Sequence, residues 1–353
     1  MKSKTMPSLA AIGRFWFPVL ALVVPLALIV VVTGHFGGLS LQRTVIEMLI
    51  SIVIVVGLYV FVGNSGIISF GHATFMAIAA YASAWQTCCE MLKPITMSGL
   101  PHFLRDQSIP LLPSAVVSVL LAGAAAFLTG LVIMRLTGLA ASISTLAVLF
   151  ILNVVYSNWD SVTMGSASIV GLPTYVTAWL ALICAVLAIV IAYLYQISAF
   201  GLAIRATRED EVAAAASGIS LYWSRLIAFT LSGFLVGLGG VLQAHYLGTV
   251  SINNFFLSFT FLALAMLIVG GMGSLAGAVV GVVVITVMID IFRRLESGIS
   301  IGGEQWSLPA GTQELIIAGF MLLILVFRKD GIMAGREIGL PQQLQREKGL
   351  ING

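Results

Sequence analysis

The stretch VIEMLISIVIVVGLYVFV, Val45–Val62, decides the fold class of this chain. It carries one charged residue, Glu47, in 18 positions. As an α-helix it would be about 27 Å long, close to the ~30 Å thickness of the hydrocarbon core of a bilayer. Its apolar residues are continuous and do not alternate, which favours a helix over a strand of a membrane barrel. The stretch therefore predicts a transmembrane helix.

Similar apolar runs recur along the whole chain. Hydrophobic residues make up 59% of the 353 residues and charged residues only 9%, and a soluble domain could not bury that much apolar surface. The sequence predicts an all-α, polytopic integral membrane protein with a single membrane domain over residues 1–353. About ten transmembrane helices are expected, the first of them uncleaved: Phe15–Thr33, Val45–Val62, Ile67–Trp85, Leu111–Met134, Leu139–Tyr156, Tyr175–Tyr195, Leu226–Tyr246, Phe255–Met272, Leu275–Ile291 and Thr312–Phe327.

The distribution of Lys and Arg predicts the orientation. With ten spans and a cytoplasmic N-terminus, 12 of the 17 Lys and Arg residues fall on the cytoplasmic side, in agreement with the positive-inside rule. This topology makes 196–222 a cytoplasmic loop and 328–353 a cytoplasmic C-terminal tail. If Gly270–Gly273 formed a re-entrant turn instead of a loop, the C-terminal spans would have to be redrawn. The five outer residues are Arg43, Lys93, Arg105, Arg293 and Arg294.

Several function classes are disfavoured by what the sequence lacks. No G-x-x-x-x-G-K-[ST] phosphate loop is present, so a partner would have to bind any ATP. An ion-coupled secondary transporter remains an alternative, but its usual mid-membrane ionisable residues are few here: Glu47, His72 and Asp290. The four histidines are dispersed, which disfavours a metal site, a bound cofactor or an intramembrane enzyme. No basic cluster indicates a nucleic-acid partner.

A break between the second and third spans reads Gly63-Asn64-Ser65-Gly66. Gly and Asn permit a positive φ, so the chain can turn or unwind there. One interpretation is a simple tight turn. The other is an unwound segment inside the bilayer, followed by a helix from about Ile67 whose free N–H groups face a solute. Ser69, His72 and Thr74 would then line a translocation path, although a lone buried histidine is more often a packing residue bonded to a backbone carbonyl.

The longest internal charged segment is FGLAIRATREDEVAAAASGIS, Phe200–Ser220. Arg205 and Glu209 are spaced i and i+4, and the Ala-rich run predicts a short helix that ends at Gly218. A solvated connector and a docking helix for an ATPase are both consistent with this pattern.

Glycines spaced four residues apart predict close helix packing. They are Gly233 and Gly237, and then Gly273, Gly277 and Gly281. His245 and Tyr246 close the seventh span, where amphipathic rings are expected to anchor at the outer interface.

Four stretches together resemble one family. They are GNSGIISFGHATFMAIAAYASA (63–84), the charged segment above, FTLSGFLVGLGGVLQAHYLGTVS (229–251) and VGGMGSLAGAVVG (269–281). The chain resembles the LivM-like permeases of branched-chain amino acid ABC importers, from about Val45 to Gly331. The resemblance implies a bacterial inner-membrane permease that pairs with a LivH-like second permease, two cytoplasmic ATPases and a periplasmic solute-binding protein. It also implies that the ATPases bind ATP-Mg, that this chain binds no cofactor, and that membrane lipid surrounds this chain.

The resemblance also assigns roles to residues in the charged segment. Ala213, Ala214 and Gly218 match the family's Ala-Ala-xxx-Gly element that contacts the ATPase, while Val212 stands where the general motif has glutamate. The expected charged rim of that contact is Arg205, Arg208, Glu209, Asp210 and Glu211.

A second match lies in the outer loop WDSVTMGSASIVGLP, 159–173. Gly165, Ser166, Gly171, Leu172 and Pro173 match a Gly-Ser and Gly-Leu-Pro pattern that implies a face for the binding protein. Upstream, Phe150 and Asn153 occupy positions where relatives often have Glu and Arg. This departure leaves urea, amides, aromatic acids and sugars open as solutes beside branched-chain amino acids, and Asn153 is a further candidate for the path.

Overall fold

The computed structural model describes residues 9–88, 93–105, 107–301, 304–306, 309, 311–328 and 330–338. The predicted inner residues Lys2, Lys4, Lys329, Arg346 and Lys348, together with tail residues 339–353, lie outside this range. The helices are α1 (Leu9–Phe36), α2 (Leu39–Ser65), α3 (His72–Thr87), α4 (Lys93–Thr96), α5 (His102–Arg105), α6 (Leu111–Ile133), α7 (Gly138–Ser157), α8 (Asp160–Thr163), α9 (Ala178–Ile197), α10 (Ala199–Glu209), α11 (Glu211–Ala216), α12 (Leu221–Leu247), α13 (Leu257–Gly270), α14 (Leu275–Glu296) and α15 (Thr312–Phe327).

Short strands and one 3₁₀ turn complete the described secondary structure. Strand β1 (Ile169–Val170) pairs antiparallel with β2 (Thr249–Val250), and β3 (Ile299–Ile301) with β4 (Glu304–Trp306). A 3₁₀ turn, Ile252–Phe255, precedes α13. The helices run between two ends of the molecule. We call these two ends the α11 end and the β1–β2 end.

Eight helices in the described part of the chain are long and apolar enough to cross a membrane. They are α1, α2, α6, α7, α9, α12, α14 and the 3₁₀ turn with α13. The ten predicted spans coincide with these eight and with the shorter α3 and α15, so the predicted number is close to the number found. The all-α membrane fold is confirmed.

Helix α12 is the centre of the bundle because its glycines admit neighbours on several sides. A Cβ at Gly233 or Gly237 would contact the Cβ atoms of Ala126 and Ala122 on α6, and one at Gly240 would overlap the Met76 carbonyl of α3. Removing the side chain lets backbones approach closely, as predicted for Gly233 and Gly237.

The pair α13 and α14 packs in the same way. A Cβ at Gly281 would overlap the Met266 carbonyl oxygen, and one at Gly277 the Gly271 carbonyl oxygen. Gly273 lies in the turn between the helices, so its predicted helix-packing role is wrong. This turn sits at the α11 end, where Met272 reaches Gly63, so Gly270–Gly273 connects two antiparallel helices and is not re-entrant.

Gly281→Ala is expected to destabilise the protein. The new methyl group would meet backbone rather than a flexible side chain, and forced overpacking typically costs about 1–3 kcal/mol. We expect a lower melting temperature of the detergent-solubilised protein. Gly319→Ala on α15 is the matched control, because no atom of the described residues lies within 4 Å of its added Cβ. Equal melting temperatures for the two variants would refute the close packing of Gly281.

Candidate functional site at the two ends of the bundle

The charged segment folds as two helices, not as the single helix predicted. Asp210 takes an extended conformation, and its Oδ1 accepts hydrogen bonds from the N–H groups of Val212 (2.8 Å) and Ala213 (3.0 Å). This side-chain cap starts a new helix and therefore ends α10 at Glu209. Gly218, with φ +82°, closes α11 through bonds from its own N–H to Ala215 O and from Ile219 N–H to Ala214 O.

Helix α11 presents a surface of small side chains. Ala214 points inward and is 4% exposed, whereas Val212 is 79% exposed. The other exposed members of this surface are Ala213, Ala215, Ala216 and Gly218. We call this set the α11 face.

Arginines hold the segment against the bundle. Arg208 Nη1 donates to Gly63 O at 2.6 Å, and Arg205 Nε donates to Asn64 Oδ1 at 2.8 Å. The last carbonyl groups of a helix lack a partner within it, and Arg208 binds one of them in α2, whereas Arg205 binds the Asn64 side chain. Arg205 bonds to Asn64 of α2, not to Glu209 four residues on, and both Arg205 and Arg208 lie toward α2. Glu211 pairs with the buried Arg225 of α12, which fixes α11 to the central helix.

The break after α2 is an unwound segment. Gly66 ends α2 with φ +74°, residues 66–71 are non-helical, and α3 starts at His72 rather than near Ile67. Phe70 N–H donates to Thr145 Oγ1 of α7 at 3.2 Å, which holds the segment away from a helical path. Gly63, Asn64 and Ser65, which were predicted to lie in the break, are instead the last residues of α2, and the backbone is unwound over residues 66–71. That the segment faces a solute stays a prediction.

Ser69, His72 and Thr74 are buried inside the subunit. His72 Nδ1 and Ser69 Oγ are 2.8 Å apart, so the histidine is not bonded to a backbone carbonyl as expected for a packing residue, and its ring lies among Phe61, Phe75 and Phe229. Within the part of the chain that the structure describes, His72 Nε2 and Thr74 Oγ1 have no hydrogen-bond partner. Ser69 and His72 line a cavity of only about 10 Å³, so a solute could reach them only if the surrounding helices separated.

At the β1–β2 end, the Gly-Leu-Pro loop is fastened to the end of α12. Leu172 N–H donates to Gly248 O at 3.1 Å, and His245 Nδ1 donates to Pro173 O at 3.0 Å. His245 Nε2 lies 2.7 Å from Ser83 Oγ of α3. His245 is fully buried, so it joins α3, α12 and the loop and is not the interface anchor predicted. Ser166, Gly171 and Pro173 are exposed, whereas Gly165 is buried.

Comparison with known proteins supplies the family. The model of the branched-chain amino acid transport system / permease component family matches residues 40–326. The chain belongs to this family. It is 27% identical over 319 residues to the high-affinity branched-chain amino acid transport system permease protein LivM of Escherichia coli (strain K12) and to that of Salmonella typhimurium. In both cases the match covers 81% of this chain and 68% of the relative.

A more distant relative covers less of the fold. The probable branched-chain amino acid transport permease protein LivM of Methanocaldococcus jannaschii is 27% identical over 172 residues, which is 47% of this chain and 49% of that protein. No solved structure matches this permease.

The acidic residues of this permease that were candidates for ion coupling lie near helix ends. Glu47 Oε2 is 3.6 Å from Arg293 Nη1, and Asp290 accepts hydrogen bonds from Arg294 Nε and Thr44 Oγ1, both at 2.8 Å. These arginine pairs belong to the β1–β2 end. Among the described residues no group of three or more His, Cys, Asp or Glu could hold a metal ion.

Asn153 does not join the other predicted path residues. It lies on α7 eight residues beyond Thr145, which is about 12 Å along the helix axis. The side chain is half-buried, and its Nδ2 has no hydrogen-bond partner in the described ranges.

The permease also contains a polar network that the sequence did not reveal. Glu337 Oε1 accepts from Leu275 N–H at the start of α14 and from Gln196 Nε2 of α9, both at 2.8 Å. Tyr59 Oη donates to Gln196 Oε1 at 3.2 Å and accepts from Arg205 Nη2 at 3.3 Å. The network joins the chain after α15 to the arginine that holds α10. In the sequence, Glu337 could be recognised only as a carboxylate suited to a helix N-terminus. The sequence did not show which helix it would cap.

Proposed function

We propose that this permease is the LivM-like subunit of an ATP-driven importer for branched-chain or related amino acids, working with a LivH-like second permease, two cytoplasmic ATPases and a periplasmic binding protein. The proposal is supported by the family match over residues 40–326. The ATPases bind and hydrolyse ATP-Mg, and this chain binds no cofactor of its own. Urea, amides, aromatic acids and sugars are the competing solutes, since Phe150 and Asn153 depart from the family pattern.

The α11 face is the proposed ATPase contact. It is a surface of small side chains that a partner can approach closely. The ion pair of Glu211 with buried Arg225 and the bonds from Arg205 and Arg208 to α2 make α11 a rigid attachment point. A movement of the ATPase would thus reach α12 and the end of α2 directly.

The unwound segment is the proposed moving part of the path. Gly63, Asn64, Ser65 and Gly66 lie where α10 is attached, and Ser69, His72 and Thr74 follow inward. We infer that the inward-open state separates α3 from α12 and α13, which would expose His72 Nε2 and Thr74 Oγ1 as hydrogen-bonding groups. Asn153 would serve the same path farther along α7.

The exposed Gly-Leu-Pro loop is the proposed binding-protein face. Ser166, Gly171 and Pro173 supply its surface, and Gly165 supports it with φ +58°. The face lies opposite the α11 end, so ATPases and binding protein would contact the two ends of α12. In this orientation the 196–222 loop and the 328–353 tail are cytoplasmic, and the protein belongs in the bacterial inner membrane.

Purification of the tagged chain from native membranes in mild detergent tests the assembly. We expect an ATPase and a second permease to copurify, with the binding protein retained when its solute is added. A chain that is folded but alone, and that moves solute with an ion gradient in the absence of ATP, would identify a secondary transporter instead.

A further inference from the structure

Residues 330–338, which follow α15, fold back over the turn between α13 and α14. We call them the strap. Met333 N–H donates to Gly270 O at 3.0 Å, and this carbonyl group ends α13 and has no partner within that helix. A Cβ at Gly331 would lie 2.6 Å from the Cα of Gly271. The strap and the turn are therefore in direct backbone contact.

Glu337 fastens the end of the strap to the start of α14. Its Oε1 accepts from the Leu275 N–H at 2.8 Å, and its Oε2 accepts from the Ala276 N–H at 3.3 Å. A carboxylate at a helix N-terminus binds N–H groups that the helix leaves unpaired, and it complements the positive end of the helix dipole. The strap therefore joins the end of α13 to the start of α14.

A series of side chains leads from Glu337 to α10. Gln196 Nε2 of α9 donates to Glu337 Oε1 at 2.8 Å, and Tyr59 Oη of α2 donates to Gln196 Oε1 at 3.2 Å. Tyr59 Oη accepts in turn from Arg205 Nη2 of α10 at 3.3 Å. Tyr59 and Gln196 are both buried, and the two ends of the series carry opposite charges. Hydrogen bonds in such a series strengthen one another in a low-dielectric interior.

Helix α13 forms one wall of the small cavity that Ser69 and His72 line. Thr260 and Ala263 supply that wall. The strap is bonded to the end of the same helix, and Glu337 connects the strap to α10. One wall of the cavity is thus linked to the charged segment through hydrogen bonds that do not pass through α12.

We propose that Glu337 and Tyr59 are positioning residues that make α13 move with α10 during transport. The inference rests on the proposed function, since it requires that an ATPase displace α10 and α11. A displacement of Arg205 would be transmitted through Tyr59 and Gln196 to Glu337, and from there to the strap and α13. The cavity at His72 would then open in step with the ATPase.

Leucine uptake and ATP hydrolysis by the purified assembly, measured in the same proteoliposomes, test this proposal. Tyr59→Phe removes only the hydroxyl group that joins Arg205 to Gln196. We expect uptake per ATP hydrolysed to fall about fivefold, the change in an equilibrium that the loss of one hydrogen bond of about 1 kcal/mol produces. A loss of folded protein alone would lower uptake and hydrolysis together and leave their ratio unchanged.

Glu337→Ala interrupts the same series at its other end. It should lower uptake per ATP hydrolysed about as much as Tyr59→Phe, and the double variant should lower it no further, because the effects of substitutions in one network are not additive. Tyr195→Phe is the matched control. Tyr195 is the buried neighbour of Gln196 on α9, and its Oη has no hydrogen-bond partner among the described residues, so this variant should keep the wild-type ratio.

Four results would overturn the proposal. Three of them leave the proposed function in place: an unchanged ratio in Tyr59→Phe or in Glu337→Ala, a fall in the double variant that exceeds that of either single variant, or an equal fall in Tyr195→Phe. The fourth is leucine uptake by the wild-type assembly with an ion gradient and without ATP, which would remove the proposed function and this inference with it.

Discussion

Gly218→Arg is expected to release the ATPase while leaving the permease folded in the membrane. No atom of the described residues lies within 4 Å of a Cβ added at Gly218, so the new side chain extends away from the protein into the surface that the partner would occupy. A central clash in an interface costs about 2 kcal/mol or more, which corresponds to about a 30-fold loss of affinity. The measurement is the amount of ATPase recovered per permease from native membranes.

Gly218→Asn is the control for the backbone strain that any residue other than glycine introduces at position 218. Gly218 has φ +82°, a conformation that asparagine tolerates better than other non-glycine residues, so this variant adds little bulk at small strain. It should retain most of the ATPase. If Gly218→Arg also retained the ATPase at the wild-type level, α11 could not be the docking helix.

Glu211→Ala is expected to lower stability by about 2 kcal/mol. The alanine would leave the guanidinium of Arg225, whose side chain is 4% exposed, without its ion-pair partner. Breaking a fully buried pair costs about 3–5 kcal/mol, and we expect less here because the Glu211 side chain is 44% exposed. Removing both groups, in Glu211→Ala/Arg225→Leu, should cost less than Glu211→Ala alone. Thermal unfolding of the four species completes the double-mutant cycle.

Glu209→Ala is the control for that cycle. Glu209 ends α10, is exposed and makes no ion pair among the described residues, so its loss should leave the melting temperature unchanged. Additive effects of the Glu211 and Arg225 substitutions would mean that the pair does not hold α11 to α12.

Local patterns in the sequence were sufficient to predict most of the helices. Continuous apolar runs determine where a chain crosses the bilayer, so the existence of the long helices followed directly. Their ends depend on distant partners. Helix α3 starts at His72 because Phe70 bonds to Thr145, 75 residues away, and no pattern near residue 67 reveals that contact. The break at Asp210 had a local cause, an aspartate that caps the following turn, but the i,i+4 spacing of Arg205 and Glu209 favoured one helix.

The site was predicted less completely than the fold. Ala213, Ala214 and Gly218 were found by resemblance; Ala213 and Gly218 are exposed, whereas Ala214 is buried. Arg205 was assigned to the charged rim of the ATPase contact, but its bonds to Asn64 and Tyr59 were not predicted, because these partners lie 141 and 146 residues away. Glu337 is 62 residues from the helix end that it caps. Side chains that join distant helices carry no periodicity, so a single sequence does not show them.

Uptake of leucine by the purified assembly in proteoliposomes shows whether this permease belongs to an ATP-driven importer. We expect uptake that requires the binding protein outside and hydrolysable ATP inside, stops with a non-hydrolysable ATP analogue, and is lost in Gly218→Arg but kept in Gly218→Asn. Uptake driven by an ion gradient without ATP, and equal in both variants, would contradict it.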